Sequence, residues 1–163
     1  MKQLGFALLF CVVTLQSPES ASAGIDDYRR AATTNAEVNR LQHVSDTLRA
    51  RLRILERVLV TVVDHNPLVM SVETLAGRSG PFVISADQQF INSLKPSEVE
   101  AAIAHELGHV WIYTHHPYEQ SERLANDVAL RVIDASVFAP VYEKVWRRMG
   151  TRGNLADYIS LPQ

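Results

Sequence analysis

A five-residue stretch near the middle of the chain constrains the fold more than any other feature. It runs His105-Glu106-Leu107-Gly108-His109. The two histidines are four residues apart, so on an α-helix they lie on one face, one turn above the other. Helix-favouring alanines precede the stretch, and Pro117 limits the helix on the other side. The sequence therefore predicts a helix that presents two imidazoles side by side.

Two imidazoles one helical turn apart can bind a single metal ion, and Glu106 lies next to them in the sequence. The pattern His-Glu-x-x-His is typical of zinc hydrolases, in which the glutamate is the general base that takes a proton from water. We therefore predict that His105 and His109 bind one zinc ion and that Glu106 is the catalytic base. The alternative is that all three are ordinary helix residues, since so short a pattern also arises by chance.

A catalytic zinc site needs a third protein ligand, and two residues are candidates. The favoured one is Glu122, on a predicted helix over residues 121–137. Asn126 lies one turn further on the same face, and we expect it to hydrogen-bond the second nitrogen of a ligand histidine. The other candidate is His115, which on a continuous helix points away from His109. Glu122 could instead be a solvated carboxylate favoured by the start of its helix.

Hydrolysis of an amide also needs a group that stabilises the developing oxyanion. His116 and Tyr118 follow the metal-binding helix closely, and we predict that one of them has this role. The alternative is that this segment only ends the helix, where a histidine is favourable near the negative end of the helix dipole.

The part of the chain before this site is predicted to begin with a long helix. Apolar residues recur every seven positions at Leu41, Leu48, Leu55 and Val62. This repeat predicts one amphipathic helix over residues 26–63. Covering the core of the same domain is its favoured role, and binding a partner protein is the alternative.

Two short extended runs, 68–74 and 81–85, follow this helix and are separated by a turn-rich stretch with two glycines. They predict a β-hairpin. A last helix is predicted over 142–149, with Gly150 as its stop. The fold class is therefore α+β, mostly helical, with one domain over 24–163. Its parts are an N-terminal helix (24–66), a metal-site core (67–137), and a C-terminal helix and tail (138–163).

Composition and the N-terminus indicate where the protein acts. A net charge of −2 gives no argument for a nucleic-acid partner. Lys2 precedes an apolar run over 4–15, which is too short to span a bilayer comfortably. Ala21-Ser22-Ala23 then fits a signal-peptidase site. We predict a signal peptide over 1–23, cleavage after Ala23, export to the periplasm or medium, and no stable transmembrane segment afterwards; an uncleaved anchor is the alternative.

Residues from about 67 to 129 resemble the gluzincin peptidases of the HtpX and CAAX-prenyl-protease type. The resemblance rests on the hairpin, the stretch Ser-Glu-Val-Glu-Ala-Ala-Ile-Ala-His-Glu-Leu-Gly-His-Val and the following glutamate-bearing helix. Residues 122–129 also resemble the Glu-x-x-Ala-Asn-x-x-Ala pattern of ImmA/IrrE-type metallopeptidases. The resemblance implies a minimal zincin-like fold, with His105, His109 and Glu122 as zinc ligands. Asn126 departs from the first family, which has aspartate there.

These observations predict an exported zinc-dependent metallopeptidase acting on a peptide or protein substrate. The alternative is a non-catalytic exported zinc-binding protein. In that case the metal is structural, and the N-terminal helix binds a partner.

Overall fold

The structure of the chain, a computed structural model, describes residues 36–75, 81–115 and 117–159. The predicted signal peptide, its cleavage site after Ala23, and His116 lie outside the described residues. The fold is α+β and mostly helical, as predicted. The described ranges contain these helices and strands in chain order: α1 (Ala36–Arg51), β1 (Val58–Val63), β2 (Met70–Thr74), β3 (Phe82–Asp87), α2 (Gln88–Ser93), α3 (Pro96–Thr114), α4 (Glu122–Ala129) and α5 (Phe138–Met149).

The described strands form one sheet in the order β1-β3-β2. β2 and β3 are antiparallel, which confirms the predicted hairpin, and β1 lies parallel to β3 on its other side. Ile84, at the centre of β3, is paired with Val60 and with Val72. These three side chains belong to the main core beneath the helices, whereas Leu59, Leu75 and Val83 form a separate small cluster.

The predicted helix over 26–63 is wrong beyond Arg51. α1 ends at Arg51, the chain turns with Arg53 in the left-handed region (φ 58°), and residues 58–63 form β1. β1 has the sequence Val-Leu-Val-Thr-Val-Val, whose β-branched side chains favour strand over helix. The heptad position at Leu55 is 89% exposed, so the sevenfold repeat does not continue as a packing surface beyond α1.

The retained part of that helix covers the core of its own domain. The buried side chains of α1 are Val38, Leu41, Ser45 and Leu48, and the helix packs on α3 and β1. This is the role that the sequence favoured. Binding of a partner protein through the N-terminal helix stays a prediction.

α3 is the central helix, with buried side chains along most of its length. Lys95 is its N-cap, Pro96 takes the first helical position, and the Glu98 carboxylate accepts a hydrogen bond from the Lys95 N–H (2.6 Å). α3 ends at Thr114, shortly before Pro117. Across the described ranges, no helix combines the length and the apolar composition needed to cross a membrane.

The predicted helix over 121–137 is shorter than expected. α4 ends at Ala129, and a 3-10 turn over Ala135–Val137 leads into α5. The Asp134 side chain accepts a hydrogen bond from the Ser136 N–H (2.8 Å), which caps the new turn. Pro140 lies in the first turn of α5, where proline is tolerated, so α5 begins before the predicted position 142. Gly150 ends α5 with a φ of 66°, as predicted.

One side-chain amide covers part of the outer edge of β1. Gln42 on α1 donates from Nε2 to the Val58 carbonyl (2.9 Å) and accepts from the Val60 N–H at Oε1 (2.8 Å). The amide therefore pairs with the strand as a neighbouring backbone would.

We expect Gln42→Ala to lower the free energy of unfolding by about 1–3 kcal/mol, because it removes two hydrogen bonds from partly buried backbone groups. Urea denaturation measures the effect. His43→Ala is the matched control, since His43 is the exposed neighbour on the same helix. Equal stability of the two variants would contradict the role assigned to Gln42.

Candidate metal centre

The structure brings the three predicted metal ligands together. His105 and His109 project from successive turns of α3, and Glu122 is the first residue of α4. The Nε2 atoms of the histidines are 3.2 Å apart, and they lie 3.3 and 3.5 Å from the two Glu122 carboxylate oxygens. One ligand atom from each residue lies within 4.8 Å of the others. One ion can therefore contact all three residues.

A glycine inside the motif allows α4 to come this close. A Cβ at Gly108 would lie 2.3 Å from the backbone carbonyl oxygen of Ala125, so any larger residue would push the α4 backbone away. Ser121 caps α4 by accepting a hydrogen bond from the Leu124 N–H (3.2 Å). Glu122 is thus placed at the end of α4 that faces the histidines.

Asn126 determines which nitrogen of His105 carries the proton. Its Nδ2 donates to the backbone carbonyl of Tyr158 (2.9 Å) and to the Tyr142 hydroxyl (2.6 Å). Since a carbonyl only accepts, the Asn126 Oδ1 must be the atom facing His105 Nδ1 at 2.8 Å. His105 therefore donates from Nδ1, which leaves Nε2 facing Glu122, as a donor when the ring is protonated and with a lone pair when the ring is neutral. This is the contact expected of Asn126 from the sequence.

Gln120 orients the His109 ring in the same way that Asn126 orients His105, and this contact was not predicted from the sequence. Its Nε2 donates to the His109 backbone carbonyl (3.0 Å), which leaves its Oε1 facing His109 Nδ1 at 3.0 Å. The His109 Nδ1 is therefore also protonated, and its Nε2 lone pair also points inward. Gln120 lies in the link between α3 and α4, where no periodicity marks it, so no sequence signal could have identified it.

The residues present fit a zinc ion. Two inward imidazole lone pairs and a carboxylate are the donor set of a catalytic zinc site, which leaves a fourth position for water or substrate. The side-chain amides of Asn126 and Gln120 supply the outer hydrogen bonds that such histidines need.

The charges of the centre favour a cation even without metal. Burial lowers the pKa of His105, but the hydrogen bond and negative charge of Glu122 outweigh it and raise that pKa to about 9. Burial raises the pKa of Glu122, but hydrogen bonds to His105 and His109 outweigh it and lower that pKa to about 2. Glu122 is thus ionised over the whole physiological range, and positive charge is bound beside it.

Glu106 differs from Glu122 in its surroundings. It is 3% exposed, and burial raises the pKa of its carboxyl against the opposing charges of His105 and His109. It lines a cavity of about 480 Å3, part of it open to solvent, that His105 and Glu122 also line. A buried carboxylate beside this space is placed to take a proton from water there.

Two other candidate residues, His115 and Tyr118, are not brought to this cluster. His115 is exposed; its Nδ1 lies 2.8 Å from the Trp111 carbonyl, and its ring stacks on Trp111 at 4.1 Å. It is therefore not the third ligand. Tyr118 is 53% exposed, with its ring against Trp111, and does not line the cavity. His116, the other candidate for oxyanion stabilisation, lies outside the described residues.

Gly108→Ala is expected to weaken zinc binding by about tenfold or more, because α4 and its Glu122 must move away from the histidines. Zinc affinity is measured by competition with a chromophoric chelator. Alanine is the better helix former by about 1 kcal/mol, so a loss cannot come from helix propensity. Unchanged affinity would contradict the packing argument.

In the metal-free protein, His105 should make stability depend on pH. Its folded pKa of about 9 exceeds the ordinary value of 6.5, so its contribution is fully present below 6.5 and is lost as pH rises through 9. Urea denaturation of chelated protein from pH 6 to 10 tests this. The decline should be absent in Glu122→Gln and retained in Glu119→Gln, which alters an exposed carboxylate nearby. Identical pH profiles for the two variants would argue against the coupling of His105 to Glu122.

Comparison with known proteins finds no protein-family model, curated protein or solved structure that matches the chain. The resemblance to gluzincin peptidases therefore stays a prediction from the motifs.

Proposed function

We propose that this protein is an exported zinc-dependent metallopeptidase with a minimal zincin-like domain, periplasmic or secreted, that hydrolyses peptide bonds in a peptide or protein substrate. His105, His109 and Glu122 are the zinc ligands, and Glu106 is the general base. One observation carries the proposal. Two side-chain amides orient both imidazoles so that their lone pairs converge with the Glu122 carboxylate, beside a buried glutamate and an open cavity.

Each of these residues has a separate role in the proposed mechanism. Zinc, when bound, supplies a Lewis acid that polarises the scissile carbonyl and acidifies water. Glu106 accepts a proton as the water oxygen bonds to the carbonyl carbon, and it returns that proton to the leaving amine as the C–N bond breaks. Asn126 and Gln120 keep the histidines in the required tautomer throughout. The raised pKa of Glu106 makes it a stronger base than an exposed glutamate.

The competing function is that of a non-catalytic zinc protein, in which the metal fastens α3 to α4. Structural zinc sites are closed and use four protein ligands, whereas catalytic sites use three and keep one position open. In the described ranges, the cluster that could hold a metal contains three potential ligands, His105, His109 and Glu122. His105 and Glu122 also line the cavity. This arrangement favours hydrolysis over a purely structural role.

Glu106→Gln is expected to lower kcat/KM by about 10²–10⁴-fold, because the amide cannot accept the proton, while bound zinc is unchanged. Digestion of a peptide library, with zinc content measured in the same samples, tests this. Glu100→Gln is the matched control, since Glu100 is an exposed glutamate on the same helix. Wild-type protein that holds zinc but cleaves no peptide would support the non-catalytic alternative.

A further inference from the structure

The cavity beside the candidate metal centre is lined by a few polar residues at the cluster and by apolar residues elsewhere. Polar groups enter it only on the side of the cluster, from His105, Glu106, Glu122 and Tyr142. The other walls are apolar side chains from the sheet and from α2, α3 and α5: Met70, Phe90, Ala102, Phe138, Val141 and Val145. The space between these walls is about 480 Å3, part of it open to solvent.

The wall nearest the reacting groups is made of small residues. Ala101 and Ala102 line the cavity one helical turn before His105 and Glu106. Residues four apart on a helix share a face, so the alanines and the chemical groups lie side by side along α3. A larger side chain at either position would occupy space directly beside the general base.

Another part of the cavity lining contains strained backbone. Val69 has a φ of 69°, which a β-branched residue rarely adopts, and the Met70 N–H donates across it to the Leu68 carbonyl (2.8 Å) in a γ-turn. Hydrogen bonds hold the turn in place, with Val69 donating to the Asn66 carbonyl (2.9 Å) and accepting from the Asp87 N–H (2.9 Å). Leu68, Val69 and Met70 all line the cavity. Strain of this kind persists where surrounding contacts enforce a particular shape.

We propose that this cavity binds one large apolar side chain of the substrate, of leucine, methionine or phenylalanine size, at a residue next to the scissile bond. The proposal rests on the proposed peptidase function and names the specificity of that site. An apolar side chain bound here would bring its own backbone to Glu106 and the ligand histidines. A charged or small polar side chain would leave the apolar walls without a partner.

The first test uses binding, which needs zinc but no turnover. Acetohydroxamate and its isobutyl-substituted analogue, 4-methylpentanohydroxamate, are titrated into zinc-loaded protein by calorimetry. A buried leucine-sized side chain contributes about 10- to 100-fold in affinity, so the isobutyl compound should bind tighter by that factor. Equal affinity of the two compounds, including no measurable binding of either, would overturn the inference.

The second test fills the cavity. Ala102→Leu and Val145→Phe enlarge lining residues on two different helices, α3 and α5, and each should reduce the preference for the isobutyl compound at least about tenfold. Ala156→Leu adds the same atoms as Ala102→Leu at an exposed position outside the cavity and should leave the preference unchanged. Val145 is only half-buried, so that variant keeps the test valid if Ala102→Leu fails to fold. A preference retained in folded Val145→Phe would count against this cavity as the binding site.

The two proposals fail in different ways. Isobutyl preference without any peptide cleavage would remove the peptidase function and leave the apolar site in place. Cleavage of library peptides with no enrichment of large apolar residues beside the cut would leave the peptidase and remove the side-chain pocket.

Discussion

The site depends on the mutual approach of three electron-rich groups. Two imidazole nitrogens and a carboxylate face one another at 3.2–3.5 Å, so the cluster needs a positive charge among them, which the proton of His105 supplies when no metal is bound. Contacts outside the cluster hold the three groups close together. Gly108 lets α4 touch α3, and the amides of Asn126 and Gln120 hold each imidazole from behind. A cluster of two imidazoles and a carboxylate that is held together in this way could bind a metal ion.

Asn126 connects this centre to the end of the described chain. The amide that accepts a hydrogen bond from His105 Nδ1 also donates to the Tyr158 backbone carbonyl and to the Tyr142 hydroxyl. Tyr142 and Tyr158 pack ring against ring, with centroids 5.1 Å apart, and Ile159 is buried beside them in the main core. The segment after α5 therefore supports His105, a proposed metal ligand, and its weak sequence periodicity hides that role.

The sequence predicted the features of the site that follow from helical spacing. His105 with His109, and Glu122 with Asn126, are pairs four residues apart, so their common faces follow from the geometry of a helix. Gln120 could not be found this way, because it reaches His109 only when the link between α3 and α4 folds back. Dependence on a distant contact also explains the error over 26–63. The sevenfold repeat favoured a helix over the β-branched run of β1. That run forms a strand because it pairs with a segment more than twenty residues away.

Two ion pairs from one face of α5, a helix that lines the apolar cavity, connect it to α3 and β3. Lys144 and Arg148 are four residues apart; Lys144 pairs with Glu98 at the start of α3, and Arg148 pairs with Asp87 at the end of β3. Both carboxyls are buried, which raises their pKa, but hydrogen bonds and the paired cations outweigh burial and lower it. Since removal of either cation would leave a buried carboxylate without its ionic partner, α5 is fixed to α3 and to β3 at once. The cavity residues of α5 are thus held at a set position relative to the alanines of α3, which a pocket selective for side-chain size requires.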